Sequence, residues 1–238
     1  MSLIKPYRSI PIRECGEPLV FIPREVFAFF DPHPYMAMGA PYGGASPWML
    51  RQSVLEALQK SQQHLQSLKP GWKIKLFDAY RPIAVQTFMV EYEFAILARQ
   101  EGLRPTELSE ADRERLMDKV FRIYAVPSAA PATPPPHSTG AAFDCTLVDE
   151  AGNDVDMGSP IDENSDRSIS DHFASAQDAA GMRAHANRTL LKDILRAEGI
   201  CRNPNEWWHF SRGDQLAAWI DREISPQGFA IYGRADLL

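Results

Sequence analysis

The stretch Ala141-Ala142-Phe143-Asp144-Cys145-Thr146-Leu147 constrains this chain more than any other, because it reads as a strand with a carboxylate at its centre. Successive strand side chains point to opposite faces, so Phe143, Cys145 and Leu147 share one face and Ala142, Asp144 and Thr146 the other. The first set is a natural core face, with Cys145 serving as a small buried hydrophobe. The second set therefore looks into a cleft, where a bare carboxylate is costly unless something positive meets it.

Two histidines can supply the answer. PSAAPATPPP, just upstream, cannot make regular structure and is a loop; it delivers His137, and Gly140 lets the chain bend so that His137 swings back towards Asp144. Imidazole nitrogen with carboxylate oxygen suits zinc, although a His–Asp hydrogen-bonded pair tying a loop to a strand would use the same residues. Further on stands Glu206-Trp207-Trp208-His209. If Trp207 to Phe210 form a strand, His209 and Trp207 point one way, and Glu206 sits at the strand entry on an Asn-Pro-Asn turn. Core packing of the two tryptophans, with the histidine satisfied by a carbonyl, is the alternative. Two histidines, one aspartate and one unligated glutamate form a zinc-peptidase inventory, since three ligands leave a position for water and the glutamate can take its proton. Arg81, at the end of WKIKLFDAYRP, is either an ion pair for Asp78 or a guanidinium projecting into a cleft to steady an oxyanion.

The rest of the chain gives these residues a frame. Residues 1–45 are rich in proline and glycine and read as an irregular segment laid over a later core. A helix is expected from Ser46, with Pro47 in its first turn, to the stop at Lys69-Pro70-Gly71. WKIKLFDAY alternates as a strand, with Ile74, Leu76 and Asp78 on one face. Helices follow over 83–100 and after the Ser109-x-x-Asp112 cap. A hairpin through AAFDCTLVDEAGNDVDMG, a helix over 177–198 closed by Gly199, the EWWHF strand and a FAIYG strand complete an α+β chain. It is read as one domain over 1–238, with a central antiparallel sheet flanked by helices. His33, His64, His172 and His185 read as surface histidines.

The net charge of −6 offers no footprint for nucleic acid or an anionic membrane. No apolar run approaches the roughly 20 residues of a membrane span. The opening MSLIKPYRSIPIRECG has no apolar signal region, and Cys15, Cys145 and Cys201 have no pairing pattern, so a cytoplasmic setting with reduced thiols is expected.

With these motifs in hand, the chain resembles the zinc D-alanyl-D-alanine dipeptidases of the VanX type, which are related to zinc D,D-carboxypeptidases and to the hedgehog amino-terminal domain. The family pattern is Ser-x-His-x-x-Gly-x-Ala-x-Asp, then Glu-x-x-His. His137, Gly140, Ala142 and Asp144 fit the first part, and Glu206 and His209 fit the second; DAYRP and DMGSPIDE add to the likeness, which runs from about Tyr35 to Phe210. The resemblance implies a hedgehog/D,D-peptidase-like fold and one Zn2+ per chain on His137, Asp144 and His209. It makes Glu206 the general base and then acid, and Arg81 the stabiliser of the tetrahedral intermediate. It puts Asp162 near the amino group of a small dipeptide substrate, and Tyr35 in the same pocket. Pro135 stands where the family often has serine, so a substrate hydrogen bond from that position is missing or comes from Ser138 or Thr139. Donors for the substrate carboxylate are not evident; backbone N–H groups around Ser138 and Thr139 are candidates. A carboxypeptidase or endopeptidase of cell-wall peptides, and a zinc-stabilised binding module, are the competing readings. A serine hydrolase is not, for want of a G-x-S-x-G elbow.

Overall fold

The computed structural model describes residues 5–223 and 226–235. The proline-rich opening yields only short elements: β1 (Leu19–Phe21), β2 (Ala28–Phe29) and one helical turn, α1 (Pro34–Ala37). The next element departs from the sequence expectation. Met49–Arg51 is a strand, β3, paired antiparallel with β1, and the long helix α2 begins only at Gln52 and runs to Leu68. Pro47 and Trp48 spend their carbonyls on other segments of the fold, with Tyr80 N–H donating to Pro47 O at 3.0 Å and Ile22 N–H to Trp48 O at 3.0 Å, so a helix cannot start there. Val54, Leu55, Leu58 and Leu65 then form the buried face of α2.

The expected strand at Lys73–Asp78 forms β4, with the alternation half-buried, buried along its length. Helix α3 (Ile83–Gln100) follows Pro82. Helix α4 (Glu110–Val120) is capped as the sequence suggests, Ser109 Oγ accepting from Asp112 N–H at 3.1 Å. Strand β5 (Ala142–Val148), helix α5 (Ala179–Arg196), strands β6 (Cys201–Arg202) and β7 (His209–Ser211) and helix α6 (Gln215–Ile220) complete the order.

The main sheet has five strands in the order β2-β4-β5-β7-β6. It is antiparallel, as expected, except at its edge, where β2 joins β4 in parallel. One face carries Phe143, Cys145, Leu147 and Phe210 and is covered by Leu58, Leu65, Leu191, Ile194 and Leu195 of α2 and α5. Burying each such side chain stabilises the fold by about 1.5–3 kcal/mol. Cys145 is fully buried in this core and no cysteine is disulfide-bonded.

Three further expectations are corrected. The hairpin after β5 has no second strand: Val148 makes a single bridge to Asp154, because the Asp149 carboxylate draws the turn inward, accepting from Ala151 N–H at 3.0 Å and Asn153 N–H at 2.8 Å. The EWWHF segment is strand only from His209, since His209 N–H is tied back to Glu206 O at 3.2 Å in a turn. FAIYG contributes one parallel bridge, Ile12 to Ala230, rather than a strand.

A register shift in β4 matters more than any of these. Ile74 pairs with Leu147 and Leu76 with Cys145, on the core face, but the next pair is Asp78 with Asp144. An unbroken ladder would pair Phe77 with Asp144 and put Asp78 opposite Phe143. The extra residue is a β-bulge, and it carries Asp78 from the face of Ile74 and Leu76, where alternation alone places it, to the face of Asp144. His209 is the partner of Asp144 on the other side, so Asp78, Asp144 and His209 form one row across three adjacent strands.

Candidate active site

His137 reaches this row from a 3-10 turn, Pro136–Thr139, set up by the fixed φ of its prolines and ended by Gly140. Gly140 sits at φ +70°, and a Cβ there would lie 2.1 Å from Leu19 Cδ2, so only glycine makes the bend. The turn fixes the orientation of the His137 ring: Nδ1–H donates to Ala79 O at 2.7 Å, leaving Nε2 3.3 Å from Asp144 Oδ2 and 3.2 Å from His209 Nδ1. His209 is oriented in the opposite sense, with Nε2 3.3 Å from Ser211 Oγ and Nδ1 3.0 Å from Asp144 Oδ1. One ligand-type atom from each of His137, Asp144 and His209 lies within 4.8 Å of the others, and all three residues are buried.

Burial raises the pKa of the Asp144 carboxyl, but the His137 charge and hydrogen bonds from both imidazoles outweigh it and hold the group well below the usual carboxylate range. Glu206 behaves oppositely. It is buried, with Oε2 3.8 Å from His209 Nδ1 and outside the three-residue cluster, and burial pushes its carboxyl up to about 7 despite the opposing His209 charge.

Arg81 is both of the things its sequence position allowed. It pairs with Asp78, Nε donating to Oδ2 at 2.7 Å, and it is buried against the cavity. Nη2 lies 3.3 Å from Asp144 Oδ2 and 3.2 Å from Tyr35 Oη, and Nη1 is 2.9 Å from Gln86 Oε1. Burial alone raises the pKa of Asp78, yet Arg81 and a His33 hydrogen bond keep it below the ordinary value. His33 overturns the surface reading made of it. It is buried at the start of α1, where Nδ1 accepts from Met36 N–H at 3.3 Å, so Nε2 carries the proton and donates to Asp78 Oδ1 at 3.0 Å. Tyr42 Oη adds a third donor to Asp78 at 3.1 Å. The remaining histidines are partly or fully exposed.

Asp162 lies on the cavity wall, a non-glycine residue at φ +63°, and its Oδ2 accepts from Tyr35 Oη at 2.7 Å. Burial first, and the Asp144 charge second, push its carboxyl up to about 7. Tyr35 does not line the cavity; it stands one layer behind, bonded to Asp162 and Arg81. The cavity wall carries Trp208 where the strand reading pointed Trp207, whose indole instead donates to Ser159 Oγ at 2.9 Å. Lys5 and Tyr7 also reach the cavity from the first described turn, and no motif in their vicinity marked them.

A family model described as D-ala-D-ala dipeptidase matches residues 29–227. The chain belongs to that family. It is a metallopeptidase. A protein named D-alanyl-D-alanine dipeptidase from Synechocystis sp. (strain ATCC 27184 / PCC 6803 / Kazusa) is 44% identical over 241 residues, covering 98% of each chain. A protein of the same name from Escherichia coli (strain K12) is 42% identical over 74 residues, 31% of this chain and 36% of its own length. Among solved structures, the LdcB LD-carboxypeptidase overlaps 90% of this chain and 76% of its own at a TM-score of 0.45 and 15% identity, a likeness too slight to bear on function.

Proposed function

We propose that the protein is a one-zinc dipeptidase that hydrolyses D-Ala-D-Ala, its whole chain acting as one catalytic domain. The observation that carries this is the meeting of His137 Nε2, an Asp144 oxygen and His209 Nδ1, from a turn and two strands, with Glu206 alongside but outside the set. The residues fit the metal on chemical grounds. Two imidazoles and one carboxylate suit zinc, and each imidazole has its second nitrogen engaged by Ala79 O or Ser211 Oγ, which leaves the inward nitrogen able to ligate. When bound, such an ion acidifies water and polarises a carbonyl.

Glu206 takes the proton of the attacking water and passes it to the leaving amine. A carboxyl with a pKa near neutrality can do both, being neither too weak a base nor too weak an acid. Arg81, held by Asp78 and Gln86, presents fixed positive charge to the cavity, where the oxygen of the tetrahedral adduct develops its own charge. Asp162 offers the substrate ammonium a carboxylate, and Tyr35 holds both Asp162 and Arg81 in place. The three cysteines without disulfides accord with action in the cytoplasm. No helix among the described residues is long and apolar enough to cross a membrane.

The test is metal analysis joined to hydrolysis of D-Ala-D-Ala, L-Ala-L-Ala and a longer stem peptide, with Glu206→Ala as control. One zinc per chain, preference for the D,D dipeptide and an inactive but zinc-loaded control are expected. A zinc-loaded protein that cleaves only the stem peptide, or nothing, refutes the reading.

A further inference from the structure

The carboxylate end of a dipeptide needs donors, and the side chains nearest in sequence to His137 do not offer them. Ser138 Oγ donates to Pro135 O at 2.7 Å and Thr139 Oγ1 to Pro136 O at 2.6 Å, while Pro135 has no N–H at all. The backbone N–H of Ser138 is likewise spent on Pro135 O at 3.0 Å. Arg81 has its guanidinium engaged by Asp78, Gln86, Tyr35 and Asp144, and what it still presents to the cavity is already assigned to the oxygen of the tetrahedral adduct.

Two cavity groups that have no protein partner among the described residues come from the other end of the chain. Lys5 and Tyr7 belong to the turn at Pro6–Ser9, and both line the cavity together with Glu206 and His209. The turn is docked rather than loose. Arg8 N–H bonds Lys5 O at 3.0 Å, Ile10 N–H bonds Tyr7 O at 3.0 Å, and Gln215 Nε2 of α6 holds Ile10 O at 2.6 Å. Among the described residues the Lys5 ammonium makes no ion pair or hydrogen bond, and neither does the hydroxyl of the buried Tyr7. A cation and a phenol brought to a cavity and left unsatisfied there are groups that expect a ligand. Lys5 and Tyr7 stand on the α6 side of the cavity, where Gln215 holds the carbonyls of Arg8 and Ile10, whereas Asp162 is held by Tyr35 of α1, so the two groups are carried by different elements of the wall.

We infer that Lys5 and Tyr7 form the subsite that receives the C-terminal carboxylate of the dipeptide, opposite the ammonium side at Asp162. This rests on the dipeptidase reading and adds to it a reason for length selection. A substrate must carry both charges at a dipeptide's separation to satisfy both ends, and a longer peptide or a blocked carboxylate loses one of them.

The experiment is calorimetric titration of zinc-loaded Glu206→Gln protein with D-Ala-D-Ala and with its C-terminal amide, with and without Lys5→Met or Tyr7→Phe, accompanied by kcat and KM in the active background. Lys5→Met is expected to weaken binding of the free acid roughly tenfold to a hundredfold, the range for one charge-assisted hydrogen bond, while leaving the amide unchanged. KM for the acid should rise with kcat for the amide unaltered, Lys5→Arg should restore most of the loss, and Tyr7→Phe should act in the same direction by a smaller factor. If wild-type protein cleaves the dipeptide but Lys5→Met weakens acid and amide equally, or neither, the subsite is overturned while the dipeptidase reading stands. If wild-type protein neither binds nor cleaves either compound, the dipeptidase reading falls and the subsite falls with it.

Discussion

Replacing Asp162 by asparagine keeps the shape of the side chain and removes one titration. In the folded protein that carboxyl is pushed from 3.8 up to about 7, by burial first and the Asp144 charge second. Because the folded-state value lies above the unfolded one, the native protein holds the proton more tightly between the two. Its contribution to stability is therefore complete below about pH 4 and is lost as pH rises through about 7. At about 1.4 kcal/mol per pKa unit, a rise of about 3 units makes the loss about 4 kcal/mol by about pH 8; this is an upper bound, since the side chain is only partly shielded from cavity water. Asp162→Asn removes that loss, so its advantage over wild type should grow between about pH 4 and pH 8 by up to about 4 kcal/mol, or roughly 8–16 °C in Tm for a domain of this size. The assay is thermal or urea unfolding of chelator-treated protein across that range, alongside KM for D-Ala-D-Ala, which the variant should raise through loss of the ammonium's counter-ion. Parallel stability curves for the two proteins would refute the idea that a strained acid is kept at this wall for its charge.

Other changes test other parts of the site. Arg81→Ala should lower kcat by roughly a hundredfold to a thousandfold with zinc content retained, as for loss of one donor to a developing oxyanion, and Arg81→Lys should recover part of it; steady-state kinetics with metal analysis decide this. Ser211→Ala removes the group facing His209 Nε2 and should weaken zinc affinity by roughly tenfold to a hundredfold in competition with a chromophoric chelator, with unchanged affinity counting against the orienting role. Gly140→Ala meets both a positive φ and the Leu19 side chain, so it should destabilise the fold by at least about 1–3 kcal/mol and weaken the metal site with it, as read by unfolding and by zinc titration.

Much of this molecule was readable from side-chain periodicity. The alternation of KIKLFD, the spacing in α2, α3 and α5 and the Ser109 cap all rest on local rules, and these elements stand close to where those rules put them, except that α2 starts at Gln52 instead of Ser46. The failures have two causes: a long-range partner, or a tight local turn, took backbone groups that periodicity assigned to helix or strand. Met49–Arg51 became strand because Leu19–Phe21 lies beside it, and the Trp-Trp turn stays out of β7 because Glu206 O binds the His209 amide. The convergence of His137, Asp144 and His209 could be anticipated because residue type and spacing carry metal chemistry on their face. Lys5, Tyr7 and the His33 support of Asp78 could not, since a lysine, a tyrosine and a proline-flanked histidine near the start of a chain announce nothing until the fold brings them to the cavity.

The bulge at Phe77 has a consequence for how such a site tolerates change. Ironing it out into an unbroken ladder, with Phe77 kept, would do more than straighten a strand. It would rotate Asp78 into an oily interior opposite Phe143, strip Arg81 of its anchor and leave the His137 side of the cleft without support, all at once. Substitutions along β4 can accumulate one by one as long as the bulge persists, whereas any change that draws Phe77 into the ladder opposite Asp144 should be absent from a functional library of this protein.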